Sequence, residues 1–593
     1  MTTNDILRSP WYLRAFGAWT SRVNSLTVRA DLLAGLLGAI LVLPQAIAFA
    51  TLAGLPPQYG FYTAIVPCVV AAVFGSSWHV MSGPTNANSL ALFAMLSPLA
   101  AVGSPEYLEL VFGVTIMVGV MQWAIGLLRL GSMANFISPS ALLGFTGGAA
   151  MLIVIHGMAD LLGLPAPKAH GTSGALSNLA QHLGDTQWPA LLVGLVAIAV
   201  SLGVRRIEKR WPAMVIGMSV ATGLAHGLNL SGHPVTVIGP LPSVVPHFHL
   251  PQIEWGRVAD LFGLAFSLTI VALGQSVSIA KAVAGRSGQH IDTNREFIGQ
   301  GVSNIVGGLF QCYVSCGSLN RSMPNLEAGA QTPLSAVFSA GLLLVLVAVS
   351  APLLALIPFA GISGLLLLVA WSLLDAPRWR RTWRLSRQDF AVAAATFIAT
   401  VTIRLEMAIL IGTVMSLMTY LQRTSRPAMR TMGFDGMEGE RRFVVVEDTP
   451  GALPECPQVK LLRMEGSIYF GATAHVSDRL HAIRAHSGHA QKHLLVMSKS
   501  MNFVDASGAD LWKSEMQARR AMGGDLYFHR PRPQVLEMWR KTGFFEELGR
   551  DHLFPDKRTA LAAIYQRLDP RICAGCTARI FWECGPPGKV PGG

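Results

Sequence analysis

The chain has 593 residues, of which 51% are hydrophobic and only 13% are Asp, Glu, Lys or Arg, with a formal charge of +12 and seven Cys. A soluble domain carries about a quarter charged residues, so this is the composition of a membrane protein; secreted, disordered and nucleic-acid-binding classes are excluded. Seven Cys in so long a chain make no disulfide scaffold, and Cys68, Cys312 and Cys316 lie in apolar segments as small hydrophobes.

The N-terminal segment is polar and Trp-containing, with Arg14, Arg22 and Arg29 ahead of the first apolar run, and no cleavable signal is expected there. From Leu32 to Pro105 there is no charged residue, and the same holds from Ala328 to Leu374. A span needs roughly 20 apolar residues, so each stretch holds at least two passes. The connecting loops divide by basic content. One set carries Arg205, Arg206, Lys209 and Arg210, then Lys281, Arg286 and Arg295, then Arg378, Arg380, Arg381, Arg384 and Arg387. The other is nearly empty, with Lys168 between Gly157 and Trp188 and Arg257 at the edge of the loop from Asn229. Basic loops stay cytoplasmic. Arg423 and Arg426 after the last span put both termini on that side, which requires an even number of crossings. Topology thus accounts for the basic surplus, and no nucleic-acid partner is expected.

Two polar runs interrupt the apolar spans: His79 to Ser89, containing Gly83-Pro84-Thr85-Asn86, and Tyr313 to Ser322, containing Gly317-Ser318-Leu319-Asn320-Arg321. In each, Val, Ser and aromatic residues precede a Gly, and an Asn follows three residues later, which points to an internal repeat. In transporters such segments are short strands leading into half-helices beside a cavity. A half-helix start carries roughly half a positive elementary charge, so two that face each other hold an anion. Arg321 either ends a span and snorkels to the interface or faces the cavity; a buried charge costs roughly 2.5 kcal/mol or more, and the matched runs favour the cavity. Asn86, Asn88 and Asn320 serve either the site or helix-to-helix hydrogen bonds. Pro44-Gln45 breaks the first span and supplies an amide donor, as does Gln275 in the uncharged run between Asp260 and Lys281.

Beyond about residue 430 charges recur every few residues and a second, α/β domain begins. The pattern predicts a strand at Leu494–Ser498, a helix at Ala506–Met522, a strand at Asp525–His529 and a helix at Gln534–Thr542. Asp505 caps a helix whose first turn holds Ser507, a place where backbone N–H groups take a phosphate, although a plain helix start explains the same residues. Cys573, Cys576 and Cys584 include a C-x2-C pair without a fourth ligand in the tail; Cys456 or a second subunit would have to supply one for a structural zinc site. Reduced thiols are the default in a cytoplasmic tail. No cofactor is expected, and no hydrolase or oxidoreductase constellation is present.

Several of these stretches resemble one family. Asp31-Leu32-Leu33-Ala34-Gly35, Leu43-Pro44-Gln45-Ala46, Leu52 to Gly60, Phe74-Gly75-Ser76-Ser77 and Gly83-Pro84-Thr85 are similar to the opening motifs of the SulP sulfate permeases and anion exchangers. Ile291 to Glu296, Asn304 to Gly308 and Gly317 to Ser322 resemble its later motifs, and Asp505-Ala506-Ser507-Gly508 resembles the strand-to-helix loop of a STAS domain. The resemblance runs from about residue 28 to 568. It implies a polytopic α-helical membrane protein of fourteen segments in a 7+7 inverted repeat, with two half-helices led by short strands, an elevator-like core and gate, and a C-terminal α/β STAS domain. It divides the chain into a cytoplasmic N-terminal segment (1–28), a transport domain (29–425), a linker (426–440), the STAS domain (441–568) and a Cys-containing tail (569–593).

The implied anion pocket comprises Gln45, Phe49, Thr85, Asn86, Gln275, Leu319, Asn320 and Arg321. Gln275 stands where many bacterial relatives carry Glu or Asp, and an amide neither titrates nor binds a cation as a carboxylate does; coupling through this position is not expected. Asn86 stands where a smaller residue is usual. Related STAS proteins are phosphorylated at the position of Ser507. The expected function is secondary transport of sulfate or a similar small inorganic anion across the cytoplasmic membrane, by a homodimer with a cytoplasmic partner docking on the STAS domain. The alternatives are a bicarbonate or C4-dicarboxylate transporter, a non-transporting anion sensor or scaffold signalling through STAS, and an uncoupled anion channel.

Overall fold

The protein is described by a computed structural model over residues 18–131, 138–165, 171–208, 211–240, 243–252, 255–403, 405–435, 442–486 and 491–584. Arg14, Lys168, Lys209, Arg210 and residues 436–440 of the expected linker lie outside the described residues. The chain forms two compact units, Met1–Ser416 and Leu417–Gly593.

The helices of the membrane part fall into two sets of seven. The first set is α1 (Ser25–Leu52), α2 (Pro57–Phe74), α3 (Asn86–Leu96), α4 (Pro105–Leu127), α5 (Pro139–Leu161), α6 (Trp188–Ile207) and α7 (Ala213–Leu230). The second is α8 (Trp255–Ser287), α9 (Thr293–Leu309), α10 (Leu319–Glu327), α11 (Leu334–Leu354), α12 (Phe359–Leu373), α13 (Arg387–Thr402) and α14 (Leu405–Thr424). Two short helices, Gly171–His182 and Ala376–Leu385, stand outside this count. Strands β1 (Ser82–Gly83) and β2 (Cys316–Gly317) lead into α3 and α10.

Local signals explain several starts. Asn24 makes a capping box with Thr27 before α1; Ser104 and Ser138 cap α4 and α5, each followed by Pro. Among the described residues, nine helices are long and apolar enough to cross a membrane: α1, α2, α4 to α8, α11, and α12 with the short helix after it. α3 and α10 are half-helices because strands replace their first turns.

The packing repeats when one set is exchanged for the other. α4 packs on α9 as α11 packs on α2, α1 on α11 as α8 on α4, α1 on α10 as α8 on α3, and α5 on α13 as α12 on α6. The self-paired contacts are α2 with α9, α5 with α12, and β1 with β2. α1 to α4 with α8 to α11 make one packed group, α5 to α7 with α12 and α13 another.

In the second unit a seven-stranded sheet has the order β4-β3-β5-β6-β8-β9, with β7 beside β5. The strands are β3 (Ala428–Phe434), β4 (Phe443–Val445), β5 (Val459–Ile468), β6 (His493–Met497), β7 (Met501–Val504), β8 (Leu526–His529) and β9 (Leu553–Phe554). β5, β6, β8 and β9 run parallel. The principal helices are α15 (Thr473–His486), α16 (Ala506–Ala521) and α17 (Pro533–Lys541), within two residues of the sequence prediction where one was made. Both faces of the sheet are covered, so β6 is apolar after His493: Leu494 and Val496 join Trp512 and Trp539 in one core, while Leu495 and Met497 join Ile564, Ile580 and Phe581 in the other. The described part of the Cys tail packs on that second face.

Candidate anion site

β1 and β2 pair antiparallel, Ser82 opposite Gly317 and Gly83 opposite Cys316. Two residues of pairing cannot satisfy so much buried irregular backbone, and side chains from neighbouring helices complete it. Ser322 Oγ accepts from Met81 N (3.0 Å), Ser276 Oγ from Gly317 N (3.1 Å) and Asn304 Oδ1 from Ser315 N (2.8 Å). Gln300 Nε2 donates to Ser82 Oγ (2.7 Å), and Asn304 Nδ2 to Gln122 Oε1 (2.8 Å). These bracing residues were not singled out from the sequence; the spacing of Gln300 and Asn304, one turn apart in a span, was the signal available.

Neither Thr85 before α3 nor Ser318 before α10 caps its helix with a side chain. First-turn N–H groups have no intrahelical acceptor; Asn86 Oδ1 takes the one on Ala87 (2.9 Å). A cavity of about 700 Å³ lies at these two helix starts. Six of the eight predicted residues line it: Phe49, Thr85, Asn86, Gln275, Leu319 and Asn320. Thr146, Ser278, Ser318, Ser372, Asp375 and Arg378 add polar groups that the sequence reading did not assign to it, and the Asp375 carboxylate accepts from Arg378 N (3.0 Å) at the start of the helix Ala376–Leu385. Gln275 Oε1 accepts from the Cys316 thiol (3.1 Å), which leaves the Gln275 amide N–H groups to donate.

Gln45 and Arg321 are not part of the lining. Gln45 is half-buried, with Oε1 unpartnered. Arg321 is 2% exposed and lies beneath the strands; its Nη2 donates to Pro84 O (3.1 Å), its Nε has no partner, and Cys68, Cys316 and Tyr313 are its electrostatic neighbours. No carboxylate is among them. A Cβ on Gly83, where φ is +150°, would come within 2.6 Å of Arg321 Nη1, so the close seat of the guanidinium demands glycine there.

The soluble-domain candidates sit elsewhere. Asp505 caps α16 through Gly508 N (2.8 Å) and accepts from Phe470 N (2.8 Å), so its carboxylate already occupies the helix start; Ser507 is exposed in the first turn. Among the described residues no three His, Cys, Asp or Glu side chains gather to hold a metal ion. Cys573 Sγ accepts from Gln458 Nε2 (3.2 Å). Burial pushes the Cys573 thiol up, and Cys456 to about 11, the opposite of the shift a thiolate ligand or nucleophile needs.

The sulfate permease family model matches residues 28–396. The chain belongs to this family. It is a family of multi-pass membrane transporters, not enzymes, and a STAS domain model matches residues 452–560 of the second unit. Low affinity sulfate transporter 3 of Stylosanthes hamata is 28% identical over 574 residues, 91% of this chain and 88% of that protein. The fold is that of the murine Slc26a9 anion transporter in its inward-facing state, with a TM-score of 0.84 and 21% identity over 95% of each chain. The membrane domain of the cyanobacterial bicarbonate transporter BicA covers 67% of this family member and 98% of its own length, with a TM-score of 0.60 and 23% identity.

Proposed function

We propose that this protein carries sulfate or a similar small inorganic anion across the cytoplasmic membrane, binding it between the starts of α3 and α10. The observation that carries the reading is the convergence on one cavity of two helix starts without side-chain caps, above a buried guanidinium with no carboxylate neighbour. Partial positive charge at each helix start and the full charge of Arg321, which has no carboxylate beside it, favour an oxyanion there; the cavity's one carboxylate among the described residues, Asp375, caps the helix that carries Arg378. The amides of Asn86, Gln275 and Asn320 orient it. The division into two packed groups favours an elevator-like step, in which the group holding the strands slides against α5 and α12. Arg378 lines the cavity and belongs to a basic loop, so this cavity is the cytoplasmic vestibule. Both termini and the STAS domain are then cytoplasmic, the STAS domain serving homodimer formation and partner docking.

Uptake of labelled sulfate into liposomes containing the purified protein tests the reading, with bicarbonate and succinate as competitors. Saturable sulfate uptake, lost in Arg321→Ala and partly kept in Arg321→Lys with both variants folded, is expected. Normal uptake by a folded Arg321→Ala protein would overturn the site. Bicarbonate is the second reading, since the same charge arrangement accepts any compact oxyanion; stronger competition by bicarbonate than by unlabelled sulfate would select it. Anion binding without uptake would indicate a sensor.

A further inference from the structure

A second cavity, of about 420 Å³, lies along the same seam between the two packed groups. It is lined by Thr51 and Leu52 at the end of α1 with Gly54 just after it, by Leu90 and Phe93 of α3 with Ser97 at its C-cap, by Leu366 of α12, and by the far half of α5. Thr146 of α5 faces the anion cavity, while Ile153, His156 and Asp160 face the second one. Seven to fourteen residues at about 1.5 Å each separate them, roughly 10–20 Å. α5 thus touches both cavities, one near each end.

His156 and Asp160 are the two ionisable groups in a lining otherwise made of apolar and hydroxyl groups and the amide of Asn178, whose Nδ2 donates to Pro165 O (3.0 Å). They are four residues apart, so both lie on one face of α5. His156 Nδ1 donates to Leu152 O (2.8 Å), which leaves Nε2 with a lone pair. Its ring meets Phe93 edge-on, with centroids 5.7 Å apart, so it sits across the seam from α3. Asp160 accepts from the hydroxyl of Ser363 on α12. Among the described residues no cation faces this carboxylate from a neighbouring element. α3 and α12 carry no ionisable residue, α1 keeps Arg29 and Asp31 at its other end, and α6 keeps Arg205 and Arg206 in its last turn. α13 holds Arg387 and Asp389 in its first turn, and the helix Gly171–His182 holds His182, whose Nδ1 donates to Asn178 O (3.1 Å). Carboxylates elsewhere in the membrane helices are held by partners, among them Asp31 by Gln331 N and Thr332, Glu296 by Ser76 N and Ser77 N, and Glu109 by His249.

We propose that Asp160, with His156 one turn before it, is a proton-binding site that couples anion movement to a proton gradient. The inference rests on the transport reading above. Sliding the strand-bearing group along α5 closes this cavity. Closing it over an ionised carboxylate that has no counter-ion among the described residues is unfavourable, and closing it over a protonated one is not. A proton taken up on the Asp160 carboxylate from the side opposite the basic loops therefore licenses the step and is released after it, so proton and anion enter together.

The test uses full-length protein in liposomes with a trapped pH dye, following luminal acidification when sulfate is added outside and, separately, sulfate–sulfate counterflow at equal pH. Wild type should acidify the lumen. Asp160→Asn should lower the ratio of acidification to counterflow by at least about tenfold while counterflow persists, and Asp160→Glu should restore acidification. An unchanged ratio in Asp160→Asn overturns the proposal, as does wild-type counterflow without acidification. Loss of counterflow in both Asp160 variants with normal folding assigns a structural role and also overturns it. Absence of counterflow by wild type with any anion would remove the transport reading itself, and this proposal with it.

Discussion

At the scale of single residues, the site separates charge from contact. Arg321 supplies a full positive charge from beneath the strands, while the groups that meet the cavity at the two helix starts, Thr85, Asn86, Ser318 and Asn320, are neutral. Gln275 is the informative neutral group, because its carbonyl oxygen is held by Cys316 and its amide N–H groups are left for a ligand. Replacing it with Glu puts a negative charge in the proposed anion site. Two like charges about 5 Å apart repel by roughly 3 kcal/mol at an effective dielectric near 20; after partial screening, Gln275→Glu should raise the sulfate KM at least about tenfold. Uptake rate against sulfate concentration reads this directly, and an unchanged KM would place the anion away from α8.

At the scale of elements, the two half-helices were legible because both polar runs carry Gly, a strand-like lead and an Asn at the same offset. Their antiparallel pairing was not, since β1 and β2 are separated by more than 230 residues and offer two residues each. The STAS strands were readable from apolar runs, and the helix after Asp505 from its cap. The buried ion pairs behind that helix were invisible to local pattern. Arg519 is fully buried, its Nε donating to Glu515 Oε1 (2.7 Å) and its Nη1 to Gln491 O (2.7 Å), with Arg484 also on Glu515. Removing the partner of a buried charge costs about 3–5 kcal/mol, so Glu515→Ala should destabilise the STAS unit by about that amount. Urea unfolding followed by fluorescence of the buried Trp512 and Trp539 measures it. A change under about 1 kcal/mol would mean that Arg519 finds water or another acceptor.

At the scale of the whole molecule, the main contacts of the strand-bearing group recur when the first seven segments exchange places with the second seven, and both cavities lie where the two packed groups meet. A cross-link across that seam should stop any sliding step. Phe93 and His156 face each other there, so bridging the double variant Phe93→Cys/His156→Cys with a bifunctional thiol reagent should stop the sulfate–sulfate counterflow that the unbridged variant keeps. Full counterflow with the cross-link formed would rule out relative motion of α3 and α5.

Membrane residence, the α/β tail domain and the identity of the two half-helix starts follow from the sequence by itself, because hydropathy, charge spacing and caps are local properties that the chain carries in order. Placement was decided only by the tertiary structure. Arg321 lies under β1 rather than in the cavity lining because Gly83 leaves room for its guanidinium there. Asp160 and His156, unremarkable in an apolar run, gain meaning only when α1, α3 and α12 close a cavity around them. A side chain's charge is written in the sequence, but its solvent and its neighbours are set by segments hundreds of residues away.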